Sequence, residues 1–274
     1  MAVSKLRSVL GAVSLALGGT LAIAVPAQAQ DSGESRDLLV TIGGGAQYYP
    51  RYPGADHLDL FPLPIVNFRK AGRPLPFEAP DEGIGFGVLG GDSPVDFGPA
   101  IQLQNSRRDK DVGAPVGKVG FTVEAGAFVQ AWLGRSFRIR AEGRRGFGGH
   151  KAWLGDLSAD FVQRDGDTTL FSIGPRLRLS SARYQRAYFG VTPAAAAATG
   201  LALYRPDGGA HAVGLVSSLT HQFSPSWGIH GYAGYDRLID KAADSPLVRR
   251  FGSRDQFSGG LGLTYTFRVH RKPR

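Results

Sequence analysis

The chain has no cysteine among its 274 residues. That excludes disulfide staples, thiolate metal sites and thiol nucleophiles. Long apolar runs are equally scarce. One stretch, Val9 to Val25, is continuously apolar or small, and nothing after Ala29 is long enough for a transmembrane helix. If the exported chain crosses a membrane it does so with strands, because only helices and closed barrels satisfy their backbone in lipid. Histidines number six, at 57, 150, 211, 221, 230 and 270, and no two recur with carboxylates at a metal-ligand spacing. There is no nucleophile elbow. Ser217 and His221 share a strand face with Val213, Leu215, Leu219 and Phe223, but no acidic third member has the matching spacing. Gly43-Gly44-Gly45 is followed by neither a Lys nor a helix, so it reads as a close backbone approach rather than a phosphate loop. No catalytic, cofactor-binding or metal-binding residue is expected.

Residues 1–29 read as a signal peptide. Lys5 and Arg7 form a positive start, the apolar run follows, and Ala27-Gln28-Ala29 is a small-x-small cleavage site. Cleavage after Ala29 leaves 30–274 as one exported domain. No cysteine follows the apolar run, so lipid modification of the N-terminus is excluded. The formal charge of +9 falls to +7 once Lys5 and Arg7 are removed. That excess suits anionic lipid head groups; nucleic acid is not expected as a partner of an exported chain.

What is present is alternation. Over 257–267, Phe257, Gly259, Leu261, Leu263, Tyr265 and Phe267 alternate with Ser258, Gly260, Gly262, Thr264 and Thr266. Successive strand residues face opposite sides, so the segment has one apolar and one polar face. It ends on aromatics, as a closing strand of an outer-membrane barrel does. Segments 119–133 and 168–180 alternate as clearly. Twelve segments have suitable length: 38–50, 59–70, 78–90, 95–106, 118–133, 136–148, 151–163, 168–180, 186–197, 210–223, 226–238 and 257–267. The predicted fold is all-β, a transmembrane antiparallel up-and-down β-barrel of about twelve strands. Pro62 and Pro64 blur the second segment, since proline is excluded from mid-ladder. Gly149-His150 and Ser224-Pro225 are expected as tight turns, and 198–209 and 239–256 as external loops. Arg107 to Gly117 is long for a periplasmic turn. Ala194 to Ala198 suits a helix by propensity or a small-residue strand face.

Three consecutive segments place charges opposite their apolar faces. Arg138, Arg140, Glu142 and Arg144 are followed by Asp156 and Asp160, then by Arg176 and Arg178. A tight turn at 149–150 would set Arg144 opposite Asp156 and Arg140 opposite Asp160. The next turn would set Asp156 opposite Arg176. The expectation is a lumen ladder Arg144–Asp156–Arg176, since arginine at the lipid midplane costs about 2–4 kcal/mol.

Tyr188-Phe189-Gly190-Val191-Thr192, Arg237-Leu238 and Ala242-Ala243-Asp244-Ser245-Pro246 resemble the MipA/OmpV family of MltA-interacting outer-membrane proteins. So does the start at Pro50 to Asp56 with Pro62 and Pro64; the resemblance runs over roughly 38–267. It implies a non-enzymatic barrel in the cell outer membrane, in contact with its lipid and lipopolysaccharide. The implied role is a scaffold joining a lytic transglycosylase to a murein synthase in peptidoglycan remodelling. Alternatives are a small-solute channel, or an adhesin or surface antigen using the external loops. Gly262, Tyr265 and Phe267 resemble a barrel-insertion signal, although Arg268 to Arg274 follow where the family commonly ends. Ala55 stands where a hydroxyl residue is expected. Asp244, Ser245 and Pro246 form an external-loop motif whose simpler role is to shape a turn and whose sharper one is a partner contact.

Overall fold

A computed structural model describes residues 37–89 and 93–270. The expected leader, 1–29, lies outside the described residues. Eleven strands form one antiparallel sheet: β1 (Leu38–Pro50), β2 (Leu58–Lys70), β3 (Ile84–Gly85), β4 (Val95–Gln104), β5 (Thr122–Leu133), β6 (Phe137–Gly148), β7 (Trp153–Asp165), β8 (Thr169–Ser180), β9 (Gly209–Gln222), β10 (Trp227–Leu238) and β11 (Asp255–Val269). Their order is β2-β1-β11-β10-β9-β8-β7-β6-β5-β4-β3. The last strand meets the first, from Leu38 opposite Val269 to Tyr48 opposite Gly259.

The strands exist because one face is apolar. Ile42, Phe68, Ile139, Leu157, Leu215, Leu261 and Leu263 all point outward and are exposed. In water such a belt would be an aggregation surface; against hydrocarbon it is the stable arrangement. Aromatics gather at both strand ends. Phe68, Phe137, Trp227, Tyr265 and Phe267 lie toward the end that carries the termini, and Tyr48, Phe147, Trp153 and Phe257 toward the other. These are the two interfacial girdles of a membrane barrel. Among the described residues no helix is long and apolar enough to cross a membrane.

The expected strand 78–90 is corrected. β2 ends at Lys70 opposite Leu38, at the terminal end. β3 begins at Ile84 opposite Ile101, and Val88 donates to Phe97 O at 2.8 Å. Both strands therefore descend toward the termini, and 71–83 must rise between them. This rising segment leaves the wall and runs inside the sheet. Its alternate residues Leu75, Phe77 and Ala79 pack on Val162, Leu170 and Trp132. The wall thus has eleven strands and the chain still makes an even number of passes, so both ends emerge on one side.

The sheet order ends at β2 and β3, which do not pair with each other among the described residues. β2 is an edge strand, which is why Pro62 and Pro64 sit within it: proline is tolerated where no neighbour needs its N–H. Side chains draw the sheet round. Asn105 Nδ2 donates to Tyr49 OH at 3.4 Å, and Arg69 pairs with Asp167 at 2.8 Å.

The opposite end is capped by loops. The expected strand 186–197 is corrected to two helices, α2 (Ala182–Phe189) and α3 (Pro193–Thr199), which follow α1 (Asp109–Val112) in the chain and precede α4 (Asp240–Asp244) and α5 (Pro246–Phe251). Tyr184, Gln185, Tyr188 and Phe189 recur at helical spacing and are buried. Tyr184, Tyr188 and Phe189 join Tyr52, Val112, Val116, Leu238, Leu247 and Val248 in one apolar core. The segment 107–117 belongs to this cap rather than to a terminal-end turn. Its length is a misfit only while 78–90 is read as a single pass.

Candidate functional site: the lumen and its cap

The lumen face of β6, β7 and β8 carries the charges, all facing inward. Arg138 is 1% exposed and Asp160 also 1%. Asp160 holds Arg138 at 2.7 Å and Arg176 at 2.9 Å. Arg144 reaches Glu124 at 3.0 Å, Asp156 at 2.6 Å, and also Glu142. Arg178 lies 3.4 Å from Asp156 and 3.0 Å from Asp236.

The expected partners need correcting in part. Arg144 does reach Asp156, but diagonally. Arg176 pairs with Asp160 and Asp81, not Asp156, and Arg140 pairs with Glu142 and Glu82, not Asp160. Asp156 lies opposite Glu142 on one side and Arg178 on the other. Both registers are displaced by two residues. The β6–β7 turn holds four residues, 149–152, rather than two. A two-residue slip keeps every side chain on its face and changes only its partner.

The inner segment completes this cluster. Asp81 accepts from Arg176 Nε at 2.8 Å and Arg178 Nη2 at 3.1 Å. Glu82 pairs with Arg138 and lies 3.7 Å from Arg140. The Arg138 guanidinium sits 4.4 Å over the Phe77 ring. The segment is thus fixed by apolar packing low in the lumen and by two carboxylates higher up. Pro80-Asp81-Glu82-Gly83 was the signal in the sequence: a turn-forming, doubly acidic break inside an otherwise alternating stretch.

The opposite wall is lined by glycine. A side-chain carbon on Gly45 would lie 2.0 Å from Leu261 O, and one on Gly262 would lie 2.8 Å from Ile65 Cδ1. The inward side chains of β2 fold over this stripe, so β2 is apolar on both faces. Gly262 therefore faces the lumen, whereas Tyr265 and Phe267 face outward at 39% and 38% exposure. Arg268 and Val269 continue the ladder opposite Leu39 and Leu38, so the strand runs two residues past Phe267.

Asp244, Ser245 and Pro246 link α4 to α5. Ser245 is fully buried; its Oγ donates to Phe189 O at 2.6 Å and accepts from Val248 N at 3.3 Å. Pro246 opens α5, where its missing N–H costs nothing. Asp244 pairs with Arg249 at 2.6 Å on the surface. Thr192-Pro193 repeats the device at α3, with Thr192 accepting from Ala195 N at 3.2 Å. The cap also buries Arg107, which donates to Tyr188 O at 2.9 Å and Gly117 O at 3.2 Å. Its guanidinium lies 5.8 Å from the Tyr188 ring centroid and 6.0 Å from that of Tyr52. Burial pushes the Tyr52 phenol up to about 12, against the pull of Arg107. Nothing in the sequence around Arg107 marked it as a loop organiser.

His221 bonds Thr169 Oγ1 at 3.0 Å, and Ser217 Oγ donates to Ser172 O at 2.9 Å. Among the described residues no cluster of three or more His, Cys, Asp or Glu is placed to hold a metal ion.

Inward charge, an outward apolar belt, paired girdles and the pairing of the last strand with the first define an outer-membrane β-barrel protein. The sequence profile of the MltA-interacting protein MipA matches residues 42–267, and the chain belongs to that family. No curated protein matches the chain. Among solved structures it is similar to an outer membrane channel from Pseudomonas putida F1, with 10% identity, covering 84% of this chain and 95% of that one, at a TM-score of 0.42. It is also similar to the N-terminal β-barrel domain of Pseudomonas aeruginosa OprF, with 7% identity over 85% and 98% of the two chains and a TM-score of 0.23. Pseudomonas aeruginosa OprG aligns at 9% identity over 85% and 97%, with a TM-score of 0.26.

Proposed function

We propose that the protein is a non-conducting, non-enzymatic scaffold that joins a lytic transglycosylase to a murein synthase at the cell envelope. The observation that carries the non-conducting part is the inner segment 71–83, pinned across the lumen by Asp81 and Glu82. A pore needs a continuous wet path, and this segment occupies it. The murein partners rest on the family, described as interacting with MltA. The leader 1–29 is cleaved after Ala29, and 30–274 inserts with its apolar belt against lipid and lipopolysaccharide. The short turns 134–136, 166–168 and 223–226 share the end that carries the termini, the periplasmic end in bacterial barrels. That end faces the murein enzymes.

The test is crosslinking in intact envelopes, pull-down of the barrel and mass spectrometry. Lytic transglycosylases or murein synthases in the captured set are expected. Capture of surface ligands alone would replace the scaffold with an adhesin.

A further inference from the structure

Above the inner segment and below the helical cap the lumen keeps a cavity of about 360 Å³. That volume falls within the roughly 300–1,000 Å³ of small-molecule sites. Its lining includes polar groups that the fold leaves uncommitted. Gln102 and Gln104 point inward from β4, half-buried, and neither side chain makes a hydrogen bond among the described residues. His211 is 5% exposed, and its Nδ1, closed off from solvent, has no partner among the described residues. A β-bulge puts it there. Arg178 opposes Ala212 and Leu179 opposes Ala210, so His211 is the extra residue, turned in beside the cavity. Burying a ring nitrogen without a partner is costly, and a bulge that does so re-aims a side chain at something.

The charged wall decides which ligand fits. Arg144 already meets Glu124, Glu142 and Asp156; Arg178 meets Asp81, Asp156 and Asp236. No guanidinium there is free to receive an anion, and the carboxylates of the cluster outnumber its arginines. What remains is neutral: two amides, the imidazole of His211, the hydroxyls of Tyr184 and Ser258, and the phenol of Tyr232, which donates to Gln47 Oε1 at 2.7 Å and can still accept. Hydroxyl groups both donate and accept, and so match amides and imidazole together.

We infer that the upper lumen is a binding site for a small neutral polyhydroxylated solute of about monosaccharide size, held by Gln102, Gln104 and His211. This goes beyond the scaffold reading and does not depend on it. The experiment is isothermal titration of the full chain, folded in detergent, with glucose, galactose and mannitol, and with glucuronate as the anionic counterpart. At least one neutral polyol binds, and glucuronate binds more weakly. The double variant Gln102→Leu/Gln104→Leu removes two uncharged hydrogen-bonding groups and weakens binding about tenfold or more. Both side chains lack partners in the fold, so the variant keeps its heat-modifiable shift on gels. No binding by any of the three polyols, preference for glucuronate, or unchanged affinity in a folded double variant would each overturn the site.

Discussion

At the residue scale, Asp160 is the pivot of the lumen. It is the carboxylate between Arg138 and Arg176, and all three are almost wholly enclosed. Removing one partner of a buried ion pair leaves an uncompensated charge at a cost of about 3–5 kcal/mol. Asp160→Ala is therefore expected to lower the folded fraction in urea far more than Asp165→Ala, which ends β7 at the turn and stays within about 0.5 kcal/mol. Asp156→Ala falls between them, because its side chain is 22% exposed and its arginines keep other carboxylates. Gel mobility of heated and unheated samples along a urea series checks the order. The sequence showed that these charges share a face but not which pairs form. Partner choice depends on how many residues the turn holds, and Gly149-His150-Lys151-Ala152 uses four, with Lys151 at φ 49°.

At the element scale, the alternating segments were legible because lipid enforces period two on every outward face. Two elements were not. The stretch 78–90 reads as one wall strand, yet it joins the end of the inner segment, whose Leu75, Phe77 and Ala79 meet Val162 and Leu170 inside, to the descending β3. Periodicity reports that a segment has two faces, not which side of the sheet it lies on. Tyr184 to Phe189 is aromatic-rich, as a strand would be, but its burial follows a helix. The two differences cancel in the pass count, so the termini share one end and the loops at 198–209 and 239–256 the other. The closing strand supplies the prediction at this scale. Phe267 lies opposite Val40 in the β1–β11 ladder with its ring outward. Phe267→Ser is expected to reduce outer-membrane levels measured by fractionation and immunoblot. Deleting 271–274 leaves the ladder untouched and should not. Deleting from Arg268 removes two ladder positions and should fall between. Equal levels for Phe267→Ser and the parent would remove Phe267 from the insertion signal.

For the whole molecule, the described chain is a wall of eleven strands wrapped around a twelfth pass. The wall is stabilised from outside by lipid on its apolar belt and from inside by ion pairs that the pass completes. Glu82 and Asp81 supply two of the carboxylates that five lumen arginines face, so the segment is part of the charge balance rather than a loop resting in a pore. A cap built from α2 to α5 and the 107–117 loop closes the far end around Tyr188 and Arg107. In the proposed function this inner pass blocks the lumen. Planar-bilayer recording of the purified protein tests it most directly, comparing the parent with a variant in which 73–82 is replaced by a short Gly-Ser linker. The parent is expected to show no steady conductance and the linker variant reproducible open steps. Steady conductance of the parent, equal to that of the linker variant, would contradict the account.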